Sequence, residues 1–465
     1  LFSKGEWALC EDTIAAISTP RGTGGISIVR LSGPDAVSIA DRVVNLKTSQ
    51  PIKAMQSWSA RLGTVRAADG TAIDEAVVIL MRKPRSYTGE DMVELQCHGG
   101  PVASQKVLFA LLEAGARHAG PGEFTKRAFL SGRITLDEAE AVLDVVTAST
   151  EAALKEAGRR LGGELGAKVK KWEERLYGAL AGLLALADFP EEVEEMSESA
   201  FEEIAVIRKE IADVLRRAPL GLALSGGIEV CLVGAPNSGK SSLFNALLSQ
   251  DRAIVTEVPG TTRDVLRERA EWNGLPVILL DTAGLRRTED VVELIGVARA
   301  EEAARESEVI LYVIDGTRGV TCEDRKWVSK WREEGRHVIA VVSKADAGID
   351  PTDFFELGEI TGGAYVVSSS KTGQGVEEIK ARVARMFDGG DGLEVVAPGS
   401  ARQVDCLRRA EALLGEALSG RSSGWSEDVL VLSVEEAARA LSELTGKNVS
   451  EEALEQVFSR FCVGK

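Results

Sequence analysis

The chain has 465 residues, of which 44% are hydrophobic and 27% charged, with a net charge of −17. That length holds about three domains, the composition is ordinary for soluble globular protein, and the acidic excess speaks against non-specific wrapping of nucleic acid. The longest apolar run, 176–187, is interrupted by Gly178 and Gly182 and is too short to span a bilayer.

Residues 1–130 hold 15 Lys and Arg against 13 Asp and Glu, a net of +2, so any polyanion site is local. The opening "LFSKGEWALCEDTIAAIS" lacks the basic stretch and apolar core of a secretory signal. From residue 12 to about 130, short β-rich runs ("GISIVRLSG", "EAVVILMR", "DMVELQCHGG") alternate with Gly and Pro turns, an α+β texture. From about 131 the texture is helical. Thr135 and Glu138 form a capping box, and Leu136, Ala139, Leu143 and Val146 share one helical face. Helix is expected to about 216, with a break at "RRAPLGLALSGG".

Strands then alternate with helices from Ile228 to about Phe387: "IEVCLVG", "LPVILLD", "EVILYVID", "HVIAVVS" and "AYVVSS". Alternation of this kind predicts a parallel sheet with right-handed crossovers. A linker, "DGGDGLEVVAPGS", follows. Helix returns at about 401, with a second capping box at Ser433 and Glu436 and an apolar series at Leu454, Val457, Phe458 and Phe461. The expected division is 1–130, 131–222, 223–388 and 389–465, the third segment being an α/β domain inserted into one helical domain. Separate helical domains are the alternative. Six cysteines (Cys10, Cys97, Cys231, Cys322, Cys406, Cys462) show no C-x-x-C spacing, which argues against structural zinc and a disulfide framework and for a reducing, cytoplasmic setting. Cys231, inside a strand, reads as core.

"GAPNSGKS" (234–241) fits the phosphate-loop pattern between a strand and a helix. Gly234 and Gly239 let backbone N–H groups approach phosphates, Asn237 and Ser238 lie between them, Lys240 reaches the β/γ oxygens, and Ser241, followed by Ser242, offers a hydroxyl to Mg²⁺. "PGTTRD" (259–264) follows, with Thr262 as the second Mg²⁺ hydroxyl, then "DTAG" (281–284) with Asp281 and Gly284. "SKAD" (Ser343, Lys344, Asp346) and "SSK" (Ser369, Ser370, Lys371) stand at strand ends, where α/β sheets bind ligands. Five elements in this order predict a guanine-nucleotide domain, with Asp346 accepting two hydrogen bonds from the base edge. Ser343 stands where the G-protein signature has Asn. Its shorter side chain predicts weaker nucleotide binding, by about one hydrogen bond or roughly 0.5–1.5 kcal/mol. Leu285, where Ras-type switches carry the water-orienting Gln, cannot move a proton.

Together with "TIAAISTPRGTGGISIVRLSG", "YTGEDMVELQCHGGP", "PGEFTKRAFLSGR", "DFPEE" and the terminal "FCVGK", these motifs resemble the MnmE (TrmE) family of tRNA-modification GTPases across nearly the whole chain. The resemblance implies a multidomain fold: an α+β N-terminal folate-binding and dimerising domain, an α-helical bundle, and an inserted α/β P-loop G domain. It further implies a homodimer working with the flavoprotein MnmG (GidA) on C5 of the tRNA wobble uridine, away from membranes. A tetrahydrofolate derivative, 5-formyl or 5,10-methylene, is the implied one-carbon donor beside GTP, Mg²⁺ and K⁺. Family positions place K⁺ ligands at Asn237, Thr256, Val258 and Thr261, the water-positioning carboxylate at Glu293, and folate contacts at Arg30, Glu94, Arg133 and Lys465.

Plainer readings stand beside these. Arg30 and Glu94 suit a simple ion pair, Glu293 a helix-start glutamate, Cys462 a small apolar plug, and His98 a loop-stabilising residue. Two other functions fit parts of the chain: an Era-like ribosome-assembly GTPase, and a folate-dependent carrier with a degenerate G domain, the latter resting on Ser343 alone.

Overall fold

The computed structural model describes residues 12–20, 22–188, 194–249, 266–281, 301–349, 354–363, 365–387 and 396–465. It divides into two compact units. One comprises residues 1–143, 166–205 and 412–465, the other residues 144–165 and 206–411.

In the first unit, seven strands form one sheet: β1 (Ile14–Ile17), β2 (Ile26–Ser32), β3 (Val44–Leu46), β4 (Ser59–Arg66), β5 (Ala72–Met81), β6 (Met92–His98) and β7 (Arg117–His118). Their order is β3-β4-β5-β6-β2-β1-β7. Inward residues of β2, β5 and β6, among them Val29, Leu31, Val78, Leu80, Val93 and Leu95, are covered by α1 (Ala36–Val43) and α2 (Pro101–Glu113). The three anticipated runs become β2, β5 and β6. Strand β4 gives little signal, because Gly63 and Val65 are its only buried residues while Ala60, Arg61 and Leu62 are exposed. After α3 (Glu123–Leu130), the start of α4 (Leu136–Thr147) packs Leu136 and Ala139 against Leu454 and Phe458 of α15 (Glu451–Phe458) and against Phe461.

In the second unit, β8 (Ile228–Val233), β9 (Leu266–Trp272), β10 (Leu275–Asp281), β11 (Val309–Asp315), β12 (His337–Ser343) and β13 (Tyr365–Val367) form a sheet ordered β13-β12-β11-β8-β10-β9. Five strands run parallel, as the alternation predicts. The sixth, β9, is antiparallel to β10 through a tight Asn273-Gly274 turn with both residues at positive φ. Its sequence, "LRERAEW", hides the strand: only one face is apolar, with Ala270 and Trp272 buried and Arg267 and Arg269 exposed. Helices α9 (Lys240–Leu248), α10 (Cys322–Glu333), α11 (Phe355–Thr361) and α12 (Val376–Phe387) belong to this layer. Burial pushes the Cys231 thiol up to about 12, so this strand residue behaves as core.

Two helical expectations are corrected and one is refined. "RRAPLGLALSGG" does break the helix, at the turn of Arg216 and Arg217, but the rest of it folds as α8 (Ala218–Gly226), since Pro219 in the first turn is compatible with a helix. Ser433 caps nothing: it lies inside α14 (Glu427–Leu444), where its hydroxyl donates to the Val429 carbonyl at 3.1 Å. Val146 is exposed rather than on the buried face of α4. At Thr135 one half of the box forms, the backbone N–H donating to Glu138 at 2.8 Å.

Helix α5 (Glu151–Leu161) holds together the segments that precede and follow the α/β layer. Arg160, 1% exposed, donates to Asp144 at 2.7 Å and to the Ser225 hydroxyl of α8 at 2.8 Å. Glu156 accepts the backbone N–H of Ala397 at 2.6 Å.

Asp137, in the first turn of α4, is wholly buried, and neither carboxyl oxygen has a hydrogen-bond partner among the described residues. Burial pushes this carboxyl up to about 6, and Glu138 and Glu140 add to the rise. The folded value lies above the unfolded one. The stability this carboxyl allows is therefore fully present below about pH 4 and lost as pH rises through about 6. Asp137→Asn should raise the thermal midpoint at pH 8, by up to about 3 kcal/mol in stability, and change little near pH 4. Melting curves across that range check it, and an equal shift at both ends would refute the burial argument.

Candidate nucleotide-binding site

From β8 the chain moves to β10 on one side of the sheet and later to β11 on the other. Beyond the carboxyl end of such a switch point, open α/β sheets bind ligands. The loop after β8 carries Gly234, Asn237, Ser238 and Gly239. A Cβ at Gly234 would lie 2.2 Å from the Val313 carbonyl oxygen, so no other residue fits without moving β11. Asn237 and Gly239 both have positive φ, and Gly239 caps the start of α9. Successive N–H groups of such a loop, aimed at a helix N-terminus, make an anion cradle. Lys240 donates from Nζ to the carbonyls of Gly234 at 2.9 Å and Ala235 at 2.7 Å, which places its ammonium across the loop. Ser241 and Ser242 are exposed on the first turn of α9, the Ser238 side chain is buried, and Asp281 ends β10, buried.

A second cluster stands at the ends of β12 and β13. Asp346 accepts from the Ser369 hydroxyl on one oxygen and from Lys371 on the other, each at 2.8 Å. Lys371 first, and then Ser369, hold its carboxyl below the usual carboxylate range. An ionised carboxylate fixed in this way can accept two neighbouring N–H groups, as the guanine Watson–Crick edge offers and the adenine edge does not. The backbone N–H of Ala345 donates to the Ser368 carbonyl at 3.0 Å, joining the two loops. Ser370 is half-buried beside them. Lys344, at φ +62°, pairs with Asp315 at 2.6 Å.

Ser343 is tied to its neighbours although its side chain is short. Its hydroxyl is buried and lies 2.6 Å from the Ser238 carbonyl and 3.0 Å from the Ile314 carbonyl. The single proton serves the shorter contact, so the base-side loop remains tied to the phosphate loop.

In the N-terminal sheet, Arg30 and Glu94 are register partners on β2 and β6, with Nε 2.9 Å from Oε1. The Arg30 guanidinium lies 5.7 Å from the ring centres of both Tyr87 and Phe124. The last residues reach the same place: the Phe124 N–H donates to the Lys465 carbonyl at 3.2 Å, and the Gly122 N–H donates to the Cys462 carbonyl at 3.3 Å. Arg133 is exposed on the loop after α3, and its side chain makes no hydrogen bond or ion pair with the described residues. Asp74 grips both the backbone N–H and the ring of exposed His98, holding the imidazole above its ordinary value and fitting a stabilising role. Thr256, Val258, Thr261, Thr262, Gly284, Leu285 and Glu293 lie outside the described residues.

Comparison with known proteins decides the family. A model described as the GTP-binding protein TrmE N-terminus matches residues 13–133, and one described as the MnmE helical domain matches residues 136–462. The chain is 44% identical to tRNA modification GTPase MnmE of Symbiobacterium thermophilum, over 98% of this chain and 100% of that one. It belongs to the MnmE family. The MnmE proteins of Heliobacterium modesticaldum and Roseiflexus sp. are 41% and 42% identical, covering 98% of this chain and 99% and 100% of theirs. The α+β, helical and α/β composition expected from sequence is that of an MnmE chain.

Three residues of these clusters escaped the sequence reading. Tyr87 and Phe124 lie inside motifs that mark the MnmE family, but nothing local says that they bracket Arg30. Asp315 ends an apolar strand, and its only local signal is an Asp-x-Thr turn.

The Ser343 tie bears on the expected effect of restoring the G-protein asparagine. Ser343→Asn should leave GDP affinity within about twofold of the parent, because the tie already exists. Ser343→Ala should lose about one hydrogen bond, weakening GDP roughly 2- to 12-fold. Titration with a fluorescent GDP analogue separates the two, and a tenfold gain in Ser343→Asn would show that the hydroxyl tie is ineffective.

Proposed function

We propose that this chain is a K⁺-stimulated GTPase that acts, as a homodimer with the flavoprotein MnmG, in C5 modification of the tRNA wobble uridine. The observation that carries the GTP part is one sheet edge that presents both Lys240 over a phosphate loop and Asp346 as a fixed acceptor. Membership of a tRNA modification GTPase family supports the tRNA part. A cytoplasmic setting belongs to the proposal, and no described helix is long and apolar enough to cross a membrane. The segments 131–222 and 389–465 are taken as one helical domain around the G domain at 223–388, with residues 1–130 as the folate domain.

In this reading Gly234, Ser238, Gly239 and Ser242 surround the phosphates and Lys240 offsets their charge. The Ser241 hydroxyl, with Thr262, holds Mg²⁺. Ser241 sits exposed on the first turn of α9 while Asp281 ends β10, so the donors are hard oxygens suited to that ion. Magnesium supplies charge neutralisation at the phosphates when bound. Ser343, Lys344, Asp346, Ser369, Ser370 and Lys371 hold the base. Asn237, Thr256, Val258 and Thr261 ligate K⁺, with Asn237 contributing a side-chain carbonyl from an exposed, positive-φ position. Gly284 senses the γ-phosphate end. Glu293 positions the attacking water, since Leu285 has no proton to give.

Arg30, Glu94, Arg133 and Lys465 take a tetrahydrofolate derivative, 5-formyl or 5,10-methylene. A carboxylate at Glu94 suits the pterin amino and ring N–H groups, and the cations suit a glutamyl tail. Convergence of Arg30, Glu94 and the Lys465 backbone around Tyr87 and Phe124 supports that placement.

GTP turnover should rise steeply in K⁺ over Na⁺, and Asn237→Ala should remove most of that response. Equal turnover in the two salts would sink the potassium assignment. Separately, Glu293→Ala should keep GTP binding but lose turnover by roughly 10²- to 10⁴-fold, the scale of a positioned acid–base group. A loss of only a few-fold would move the catalytic role elsewhere.

A further inference from the structure

Asp315 lies at the end of β11, directly across the ladder from Ser343. Its two carboxylate oxygens have separate partners. Oδ1 accepts the backbone N–H of Thr317 at 3.0 Å and the Thr317 hydroxyl at 2.7 Å, which fixes the turn after the strand. Oδ2 accepts Lys344 Nζ at 2.6 Å. The turn needs only Oδ1, so the contact to Lys344 is an additional feature of the site. Burial works against the charge of Asp315, but Lys344 and Thr317 outweigh it and hold the carboxyl below its ordinary range.

Strand β11 lies between β8 and β12. A Lys344 side chain that starts after β12 and ends on Asp315 therefore runs across the strand ends toward the phosphate loop. Its ammonium is held at the far end by Asp315. Lys344 is at φ +62°, a conformation that non-glycine residues keep only when their surroundings impose it.

We propose that Asp315 is a positioning residue for the guanine base, acting through Lys344: it anchors the ammonium so that the lysine stem forms a fixed floor for the base. This rests on reading the Ser343–Asp346 loop as the guanine site. In this role Asp315 acts only through Lys344. Without the anchor the long side chain regains its rotamers, and ordering them weakens binding of GDP and GTP equally.

Asp315→Asn is the discriminating variant, because the Asn carbonyl keeps the Thr317 contacts while its NH₂ replaces the acceptor for Lys344. The fluorescent GDP analogue should bind about three- to tenfold more weakly, and the KM for GTP should rise by the same factor with kcat within about twofold. Lys344→Met keeps the stem and removes the charge. The double variant Asp315→Asn/Lys344→Met should be no weaker than Lys344→Met alone by more than about twofold. Fully additive penalties would overturn the inference, placing the effect of Asp315 in the Thr317 turn.

Asp346→Asn, tested with xanthosine and guanosine diphosphates, tests the underlying reading, since an amide at that position matches the xanthine carbonyl. A switch toward xanthine together with parental affinity in Asp315→Asn overturns the inference alone; retained guanine preference in Asp346→Asn overturns the guanine site beneath it. Should Asp315→Asn fail to fold, unchanged affinity in Lys344→Met would be decisive against the proposal.

Discussion

The nucleotide site depends on a step in the sheet. Strand β8 stops at Val233, opposite Tyr312, while β11 continues to Asp315 beside β12. The loop leaving β8 turns across the Val313 carbonyl, so close that a Cβ at residue 234 would reach 2.2 Å from its oxygen. Any side chain there pushes the loop off the step. The later contacts presuppose that approach: Lys240 reaching back to the Gly234 and Ala235 carbonyls, and the Ser238 carbonyl lying within 2.6 Å of the Ser343 hydroxyl. One glycine therefore sets the height of a loop whose other contacts come from residues up to 105 positions away.

The same edge gathers charge, and the arrangement decides whether that is tolerable. Asp281, Asp315 and Asp346 all end or follow parallel strands. Unit charges of like sign at about 4 Å repel by about 4 kcal/mol in a partly solvated setting, comparable to a large part of a domain's stability. Asp315 is matched within hydrogen-bond distance by Lys344, and Asp346 by Lys371. Each match also constrains geometry, since the second oxygen is held by Thr317 or Ser369. A polyanion approaching this edge meets Lys240, Lys344 and Lys371, with the carboxylates already engaged. The local balance can thus favour a phosphate even though the whole chain is strongly acidic.

Legibility in the sequence followed the distance over which a residue acts. Gly234, Gly239 and Lys240 were legible because the strand–loop–helix turn forces their types within eight residues. The parallel strands were legible because burial on both faces makes them continuous apolar runs. Edge strand β9 was not, because half its residues face solvent as Arg and Glu. Helix α8 was hidden by Pro219 and its glycines, which read as a break although the first turn accepts proline. Ser433 matched a capping pattern, but the helix had begun seven residues earlier at its cap, Ser426. The Ser343 contact was hidden for a different reason: the pattern compares side chains, whereas the contact depends on how near the Ser238 carbonyl comes.

Arg30, Glu94, Phe124 and Lys465 show the limit of local reading. Strands β2 and β6 align the first two residues, but the last residues arrive only because α15 packs on the start of α4 and turns back. Phe458 and Phe461 are buried there, and Gly464, at φ +95°, passes so close to Ile17 that a Cβ would sit 2.3 Å from its carbonyl oxygen. The Lys465 carbonyl then meets the Phe124 N–H. Sheet register, a helix contact and a glycine must all be satisfied before these groups meet. The nucleotide cluster is assembled differently, by consecutive strands of one sheet whose parallel register delivers each loop to the same edge. An apolar substitution error in α15 should therefore disturb the Arg30 corner without touching the strand ends. A change at Gly234 has the opposite reach, because its contacts are with β11 and Lys240.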